Sequence, residues 1–350
     1  MSQNLRLFSF LLIILFSNFS AQTKLTSKID SLITVKNPRI FNGVVLITKN
    51  GKTQYSKAYG FQNVNTKARL KLNDQFEIMS NTKQITAVLL LKEAEQGRVD
   101  LQSSIKKYLP SLTQSWADSV TVHQLLNHTH GITDLEKPLL FKPGSDFKYG
   151  NLSNILLGKI IENVSHKTYT ELANQLFQQL GMKDTFCYSK ENRRNLVSGH
   201  MVKNNVFTPV QESFINNENM PADGVVTTVK DLSIWNNNLH KEKVLNPKMY
   251  KLMTTSSAMS QHDVFGKDKM GYGYNIRTVK DHDVQYFGHT GLGDGFASLN
   301  IYIPKSDVSL IILENQMNED SSLYYYFETE IKNITLKSDL IKNRQNRINR

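Results

Sequence analysis

The sequence predicts an α+β fold: an antiparallel sheet built from both ends of the chain and flanked by helices, with a mostly helical region inserted between its parts. Three observations lead there. A hairpin pattern stands near the start of the chain, three consecutive strand-like segments stand near its end, and the residues between them carry helical spacing.

The elements follow in order. Residues 1–21, MSQNLRLFSFLLIILFSNFSA, hold Arg6, an apolar run Leu7–Phe16 and Ala21 before Gln22, the pattern of a secretory signal peptide. The run is shorter than the ~20 residues a membrane span needs. Bulky Phe19 leaves an uncleaved N-terminal anchor as the alternative. Export to a periplasmic or extracellular space is expected, with no transmembrane span after cleavage. Residues 22–339 read as one domain and 340–350 as a basic tail that frays.

Within the domain, Phe41–Lys49 and Lys52–Tyr59 flank Asn50-Gly51, a pair suited to the positive φ angles of a type I′ turn. Ser80–Gln96 is a nearly continuous apolar helix that stops at Gly97. Further helices are expected at Val122–Leu126, Asn151–Glu162, Tyr169–Leu180, Lys230–Leu239 and Pro247–Met253, the last capped by Asn246. Asp283–Phe287, Gly295–Ile303 and Val308–Glu314 read as consecutive strands, with Pro304-Lys-Ser-Asp turning between the last two. A helix over Ser321–Thr335 then covers the sheet.

Composition narrows the function classes. With 39% hydrophobic and 21% charged residues, the chain is not a disordered one. The net charge of +11 is concentrated in part in residues 331–350, where six Lys or Arg face one Asp. No zinc-finger pattern or aromatic RNP-like strand accompanies it, which argues against nucleic acid. The single cysteine, Cys187, excludes a disulfide within one chain and reads as a small buried hydrophobe.

Three short patterns carry chemistry. In Ser80-Asn-Thr-Lys83 a spacing of three puts hydroxyl and ammonium on one helix face, and a serine needs such a neighbour to become a nucleophile. Tyr149-Gly-Asn151 stands just before a helix, where a phenol and a carboxamide can face Ser80. Gly288-His289-Thr290-Gly291, followed by Leu292-Gly-Asp-Gly295, ends a strand with small residues along which a substrate backbone can lie. Each alone has an ordinary reading: an N-cap serine with a surface lysine, a capping Asn beside a packed Tyr, a Gly-rich turn.

Together, in this order and spacing, they resemble the serine β-lactamase and penicillin-recognising superfamily. The branch is that of class C β-lactamases, D,D-carboxypeptidases, D-aminopeptidases and esterases. The resemblance extends through Leu125-Leu-Asn-His-Thr-His-Gly-Ile132, Pro221-Ala-Asp-Gly-Val-Val-Thr-Thr-Val-Lys-Asp-Leu232 and Gly271-Tyr-Gly-Tyr274. It implies a β-lactamase/transpeptidase-like fold and a serine hydrolase acting on a small-molecule or peptide substrate without a cofactor. By motif, Ser80 is the acylated nucleophile, Lys83 and Tyr149 share proton transfer, and Asn151 holds the substrate amide. His289, Thr290 and Gly291 face the substrate, and the backbone N–H groups of Ser80 and Leu292 form the oxyanion hole.

Two departures shape the expected substrate. β-Lactamases commonly carry lysine where His289 stands, and a histidine with an ordinary pKa near ~6.5 is mostly neutral at pH 7. That favours D-amino-acid-containing peptides or small esters and amides over β-lactams, and predicts that His289→Lys strengthens β-lactam recognition. A class C-like β-lactamase and a non-catalytic peptide-binding protein are the alternatives. His130 stands where relatives often carry serine and reads as a turn residue. A zinc pattern built on His128 and His130 would need an acid at 132 and a histidine at 133, where Ile132 and Thr133 stand. Asp223 and Asp294 flank glycines and read as turn-capping residues, with a substrate ammonium as their other possible partner.

Overall fold

The first hairpin forms where its turn chemistry places it. Strands β1 (Gly43–Lys49) and β2 (Lys52–Tyr59) pair antiparallel. Asn50 and Gly51 between them both take positive φ, 51° and 71°. In this computed structural model, residues 24–192, 195–260, 265, 269–281 and 283–341 are described. The expected signal segment and residues 342–350 of the basic tail lie outside them.

Six more strands complete the large sheet: β3 (Ala258–Ser260), β4 (Met270–Tyr272), β5 (Arg277–Asp281), β6 (Val284–Gly293), β7 (Phe296–Ile303) and β8 (Val308–Glu314). Their order is β3-β4-β5-β6-β7-β8-β1-β2, antiparallel throughout. The two chain ends meet at β1 and β8, where Val45 lies opposite Ile312. The predicted α+β sheet is thus the observed one.

Both faces of the sheet centre are covered, which explains why β1 and β8 read as unbroken apolar runs rather than alternating ones. Val44, Leu46, Ile311 and Leu313 face one core. Val45, Ile47, Leu310 and Ile312 face the other. On the second face lie the helix of residues 24–34, α1, and the C-terminal helix, through Ile29, Ile33, Phe327 and Ile331.

The inserted region supplies α2 (Thr82–Glu95), α3 (Val122–Leu126), α4 (Leu152–Ser165), α5 (Tyr169–Leu180), the short α6 (Met220–Asp223), α7 (Val229–Leu239) and α8 (Pro247–Thr254). All except α6 match predicted helices to within three residues at either end. Helix α2 is buried nearly all round and ends at Gly97, whose φ of 74° suits a residue without a Cβ. Thr168 and Glu171 cap α5 reciprocally, and Asn246 caps α8 as expected.

Two expectations change. The C-terminal helix does not run unbroken over Ser321–Thr335. A 3-10 turn at Ser321–Leu323 precedes α9 (Tyr326–Leu336), because Tyr325 takes a left-handed φ of 57° between them. The strand expected at Asp283–Phe287 runs on to Gly293, so the His289-Thr-Gly pattern lies within β6. Strands β3, β4 and β5 lack the alternating apolar pattern and had no sequence prediction. Cys187 is buried in a two-residue strand, and burial pushes its thiol up to about 12, so it acts as a hydrophobe.

Candidate active site

Ser80 sits in a 3-10 turn, Met79–Asn81, at the entrance to α2. Met79 is held at φ 49°, a left-handed conformation unusual for a side chain of that size. The turn is anchored by the Ile78 N–H, which donates to the Val225 carbonyl at 3.0 Å. One helical turn on, Lys83 is fully buried. Its Nζ donates to Ser80 Oγ at 2.8 Å, to Asn151 Oδ1 at 2.8 Å and to the Ala222 carbonyl at 3.1 Å. Ser80 caps no helix; its hydroxyl donates to Asp223 Oδ1 at 3.0 Å.

Asn151 occupies the N-cap position of α4, yet its side chain makes no capping bond. Its amide instead bridges Lys83 and Asp223, accepting from the first and donating to the second. Tyr149 lies two residues earlier. Its ring is 4.7 Å from the His128 ring and stacks on His289 at 5.9 Å, with Lys83 Nζ 5.2 Å from its centroid. Ser80, Lys83, Tyr149 and Asn151 therefore converge, from two separate chain segments.

The third pattern arrives on β6. Its ladder with β5 ends at Gly288, opposite Arg277, whereas its ladder with β7 continues to Gly293, opposite Phe296. Residues His289–Gly293 are thus laddered on one side only. Gly291 abuts the nucleophile turn and Leu292 beside it is half-buried. The Tyr325 hydroxyl, from the break before α9, comes near the Thr290 side chain.

His289 is fully buried, with both ring nitrogens engaged inside the fold. Nδ1 donates to the Thr290 carbonyl at 2.6 Å, which leaves Nε2 to accept from the Tyr272 hydroxyl at 3.0 Å. Burial, and then the positive Arg277, push its pKa well below the usual histidine value. The imidazole is therefore neutral at pH 7.

Two site residues were not singled out from the sequence as part of this constellation. Asp223 is no turn cap: it is buried and bonded to Ser80 and Asn151, with Lys83 Nζ 3.5 Å away. Packing explains the difference. Segment α6 is pressed between α2 and α4, and Gly158 of α4 has no room for a Cβ, which would lie 2.3 Å from Pro221. Arg277 is 2% exposed, and its Nε and Nη1 have no hydrogen-bond partner among the described residues. Its guanidinium lies 5.4 Å from the Tyr149 ring centroid and 5.7 Å from that of Tyr272. The sequence signals for Asp223 were its place in the Pro221–Leu232 stretch and the glycine beside it, read as a turn cap or an ammonium partner, and for Arg277 there was none.

The remaining candidates have local roles. Asp294 accepts from the Phe214 N–H at 2.7 Å and from Ser213 Oγ at 2.8 Å, so it fastens one loop to another. His130 Nδ1 accepts the Ile132 N–H at 2.9 Å within its own turn, and burial pushes its pKa down to about 4. His128 Nδ1 lies 3.1 Å from Ser153 Oγ. Among the described residues no helix is long and apolar enough to cross a membrane.

Comparison with known proteins places this geometry. The family model described as Beta-lactamase matches residues 29–328. "Protein flp" of Staphylococcus aureus strain N315 is 27% identical over 346 residues, covering 89% of this chain and 68% of the relative. An octameric penicillin-binding protein homologue from Pyrococcus abyssi superposes with a TM-score of 0.78 at 24% identity, covering 90% of this chain and 78% of the other. D-amino acid amidase from Ochrobactrum anthropi SV3 does so at 0.74 and 20% identity, covering 91% and 96%.

Proposed function

The chain belongs to the beta-lactamase family, within the serine hydrolase superfamily, and from that premise we propose that it is an exported hydrolase working through an acyl-enzyme on Ser80. The observation that carries the reading is the 2.8 Å bond from Lys83 Nζ to Ser80 Oγ, inside a fully assembled set of three motif segments. A cation at that distance stabilises the negative charge that develops on the oxygen as it attacks a carbonyl. Lys83 and Tyr149 carry proton traffic toward the leaving group, and Asn151 orients the substrate amide. The backbone N–H groups of Ser80 and Leu292 receive the oxyanion. Thr290 and Gly291 line the strand edge along which the substrate lies.

The favoured acyl donors are D-amino-acid-containing peptides or small esters and amides. Neutral, internally bonded His289 supplies no fixed charge for a lactam carboxylate, and one structural neighbour is a D-amino acid amidase. Arg277 favours a second reading, a carboxylate-bearing donor such as a β-lactam, because its guanidinium is a permanent buried cation beside the same motif.

Intact-protein mass spectrometry tests the proposal. The chain and its Ser80→Ala variant are incubated with a penicillin and with an activated D-alanyl ester. A Ser80-dependent adduct or product supports acyl-enzyme chemistry, and its lifetime separates a slowly released penicilloyl-enzyme from a turning-over lactamase. Absence of any Ser80 dependence with both donors favours the binding-protein alternative.

A further inference from the structure

Ser80 Oγ has two polar neighbours of opposite character, Lys83 Nζ at 2.8 Å and Asp223 Oδ1 at 3.0 Å. A carboxylate only accepts, so in the second contact the serine O–H is the donor. Lys83 Nζ has three near acceptors, Ser80 Oγ, Asn151 Oδ1 and the Ala222 carbonyl, and a fourth and longer one in Asp223 Oδ1 at 3.5 Å, which together engage all three N–H groups of an ammonium. An ammonium so bonded has no lone pair for the serine proton. The proton points at Asp223.

The carboxylate is also held in place. Its other oxygen accepts from Asn151 Nδ2, and it is 3% exposed. The segment that carries it is clamped to α2: the Val225 N–H donates to Thr82 Oγ1 at 3.0 Å, and Thr86 Oγ1 donates to the Pro221 carbonyl at 2.6 Å. The charged groups around it are Lys83 from α2, at 3.5 Å, and Asp294 from the turn between β6 and β7, whose carboxyl is pushed up by burial and in part by the charge of Asp223.

We propose that Asp223 is a catalytic residue of this site, the group that first accepts the Ser80 proton. The inference rests on the acyl-enzyme reading above. As the Oγ–carbon bond forms, the carbonyl π pair moves to oxygen and the serine proton passes to Asp223 Oδ1. When the tetrahedral species collapses, the bond to the leaving group breaks, Lys83 gives a proton by way of Tyr149 to the departing atom, and the amine so formed takes up the proton held by Asp223. In deacylation a water oxygen bonds to the acyl carbon and its proton goes to the same carboxylate. The carbon–Oγ bond then breaks and Ser80 regains that proton. Atoms and charges balance with no further reactant.

The competing role for a carboxylate here is to hold a substrate ammonium, and the test separates the two. Acylation rates are measured for the wild type, Asp223→Asn and Asp223→Ala with an activated D-alanyl ester and its N-acetyl form, with and without sodium formate. Thermal unfolding checks each fold. Loss of a general base predicts a fall of about 10²–10⁴-fold with both esters, and at least a ~10-fold recovery of Asp223→Ala by formate. A loss confined to the free-amine ester, a wild-type rate in Asp223→Asn, or no formate recovery in folded Asp223→Ala overturns the proposal. If Asp223→Ala does not fold, the two-ester comparison in Asp223→Asn decides alone. A wild type that forms no Ser80-dependent adduct refutes the acyl-enzyme reading itself, a result distinct from all of these.

Discussion

A Cβ on Gly291 would come within 2.1 Å of the Ile78 carbonyl oxygen, so the third motif strand and the nucleophile turn touch backbone to backbone. The glycine is required for the strand and the turn to meet. The Ser298 hydroxyl reinforces the contact, donating to the same Ile78 carbonyl at 2.8 Å and accepting from Asn81 Nδ2 at 2.8 Å. Gly291→Ala is therefore expected to push the turn and the strand apart, at a cost of about 1–3 kcal/mol in folding stability. Acylation of Ser80 should fall with it. Denaturant unfolding and adduct formation measured together check this, and a variant unchanged in both would show that the contact is not a constraint.

Arg277 makes a separable claim about the substrate. A buried cation with two nitrogens unpartnered among the described residues gains little for the fold, so Arg277→Gln is expected to leave stability unchanged or raised. If the guanidinium recognises a carboxylate, the variant should raise KM for carboxylate-bearing donors by at least ~10-fold, about 1.4 kcal/mol, and leave neutral esters alone. Steady-state kinetics on a matched acid and its methyl ester decides. An equal effect on both would remove Arg277 from recognition.

How much was legible follows from which signals are local. The Asn50-Gly51 turn, the α2 helix with its stop at Gly97 and the Asn246 cap were readable because each depends on residues adjacent in sequence. The meeting of Ser80, Lys83, Tyr149 and Asn151 was readable only through the order and spacing of motifs. Asp223 was misread because its role depends on α6 being pressed against α2, a contact across more than a hundred residues that no local pattern announces. Arg277 lies in a short strand with no apolar alternation, so neither its strand nor its burial was visible. The break at Tyr325 escaped for a similar reason: a Tyr-rich stretch has helix-compatible spacing, and its left-handed residue is fixed by long-range packing that includes Thr290.

Acid should weaken the fold through its buried histidines. His240 lies flat against Tyr302 at 4.5 Å and Phe287 at 5.8 Å, with Nδ1 3.0 Å from the Tyr250 hydroxyl. Burial pushes its pKa down to about 3, against ~6.5 in an unfolded chain. Between those two values the unfolded chain binds a proton that the folded one does not, so stability falls as pH drops through that window. His240→Phe keeps the aromatic stack and removes the titration. Urea unfolding between about pH 4 and 6 should then show a slope shallower by up to one proton, about 1.4 kcal/mol per pH unit. An unchanged slope would clear His240 of this role.

The structure reverses the expectation for His289→Lys. The sequence alone predicts a gain in β-lactam recognition, since lysine restores the charge common in β-lactamases. Position 289 is fully buried, however, and already under the positive fields of Arg277 and Lys83, both of which hold the histidine neutral. A lysine there would add a third cation with no carboxylate within its ring of partners, because both groups His289 now bonds are the Thr290 carbonyl and the Tyr272 hydroxyl. The single variant is expected to lose roughly 3 kcal/mol of stability, the scale of an uncompensated buried charge, with no faster penicillin acylation. Removing the neighbouring charge should reverse this, so Arg277→Gln/His289→Lys is expected to regain stability over His289→Lys and to be acylated faster by penicillin than Arg277→Gln alone. Thermal unfolding and penicillin acylation rates of the three variants close the cycle. A stable His289→Lys with faster acylation would mean that Arg277 does not occupy the electrostatic place of the missing lysine.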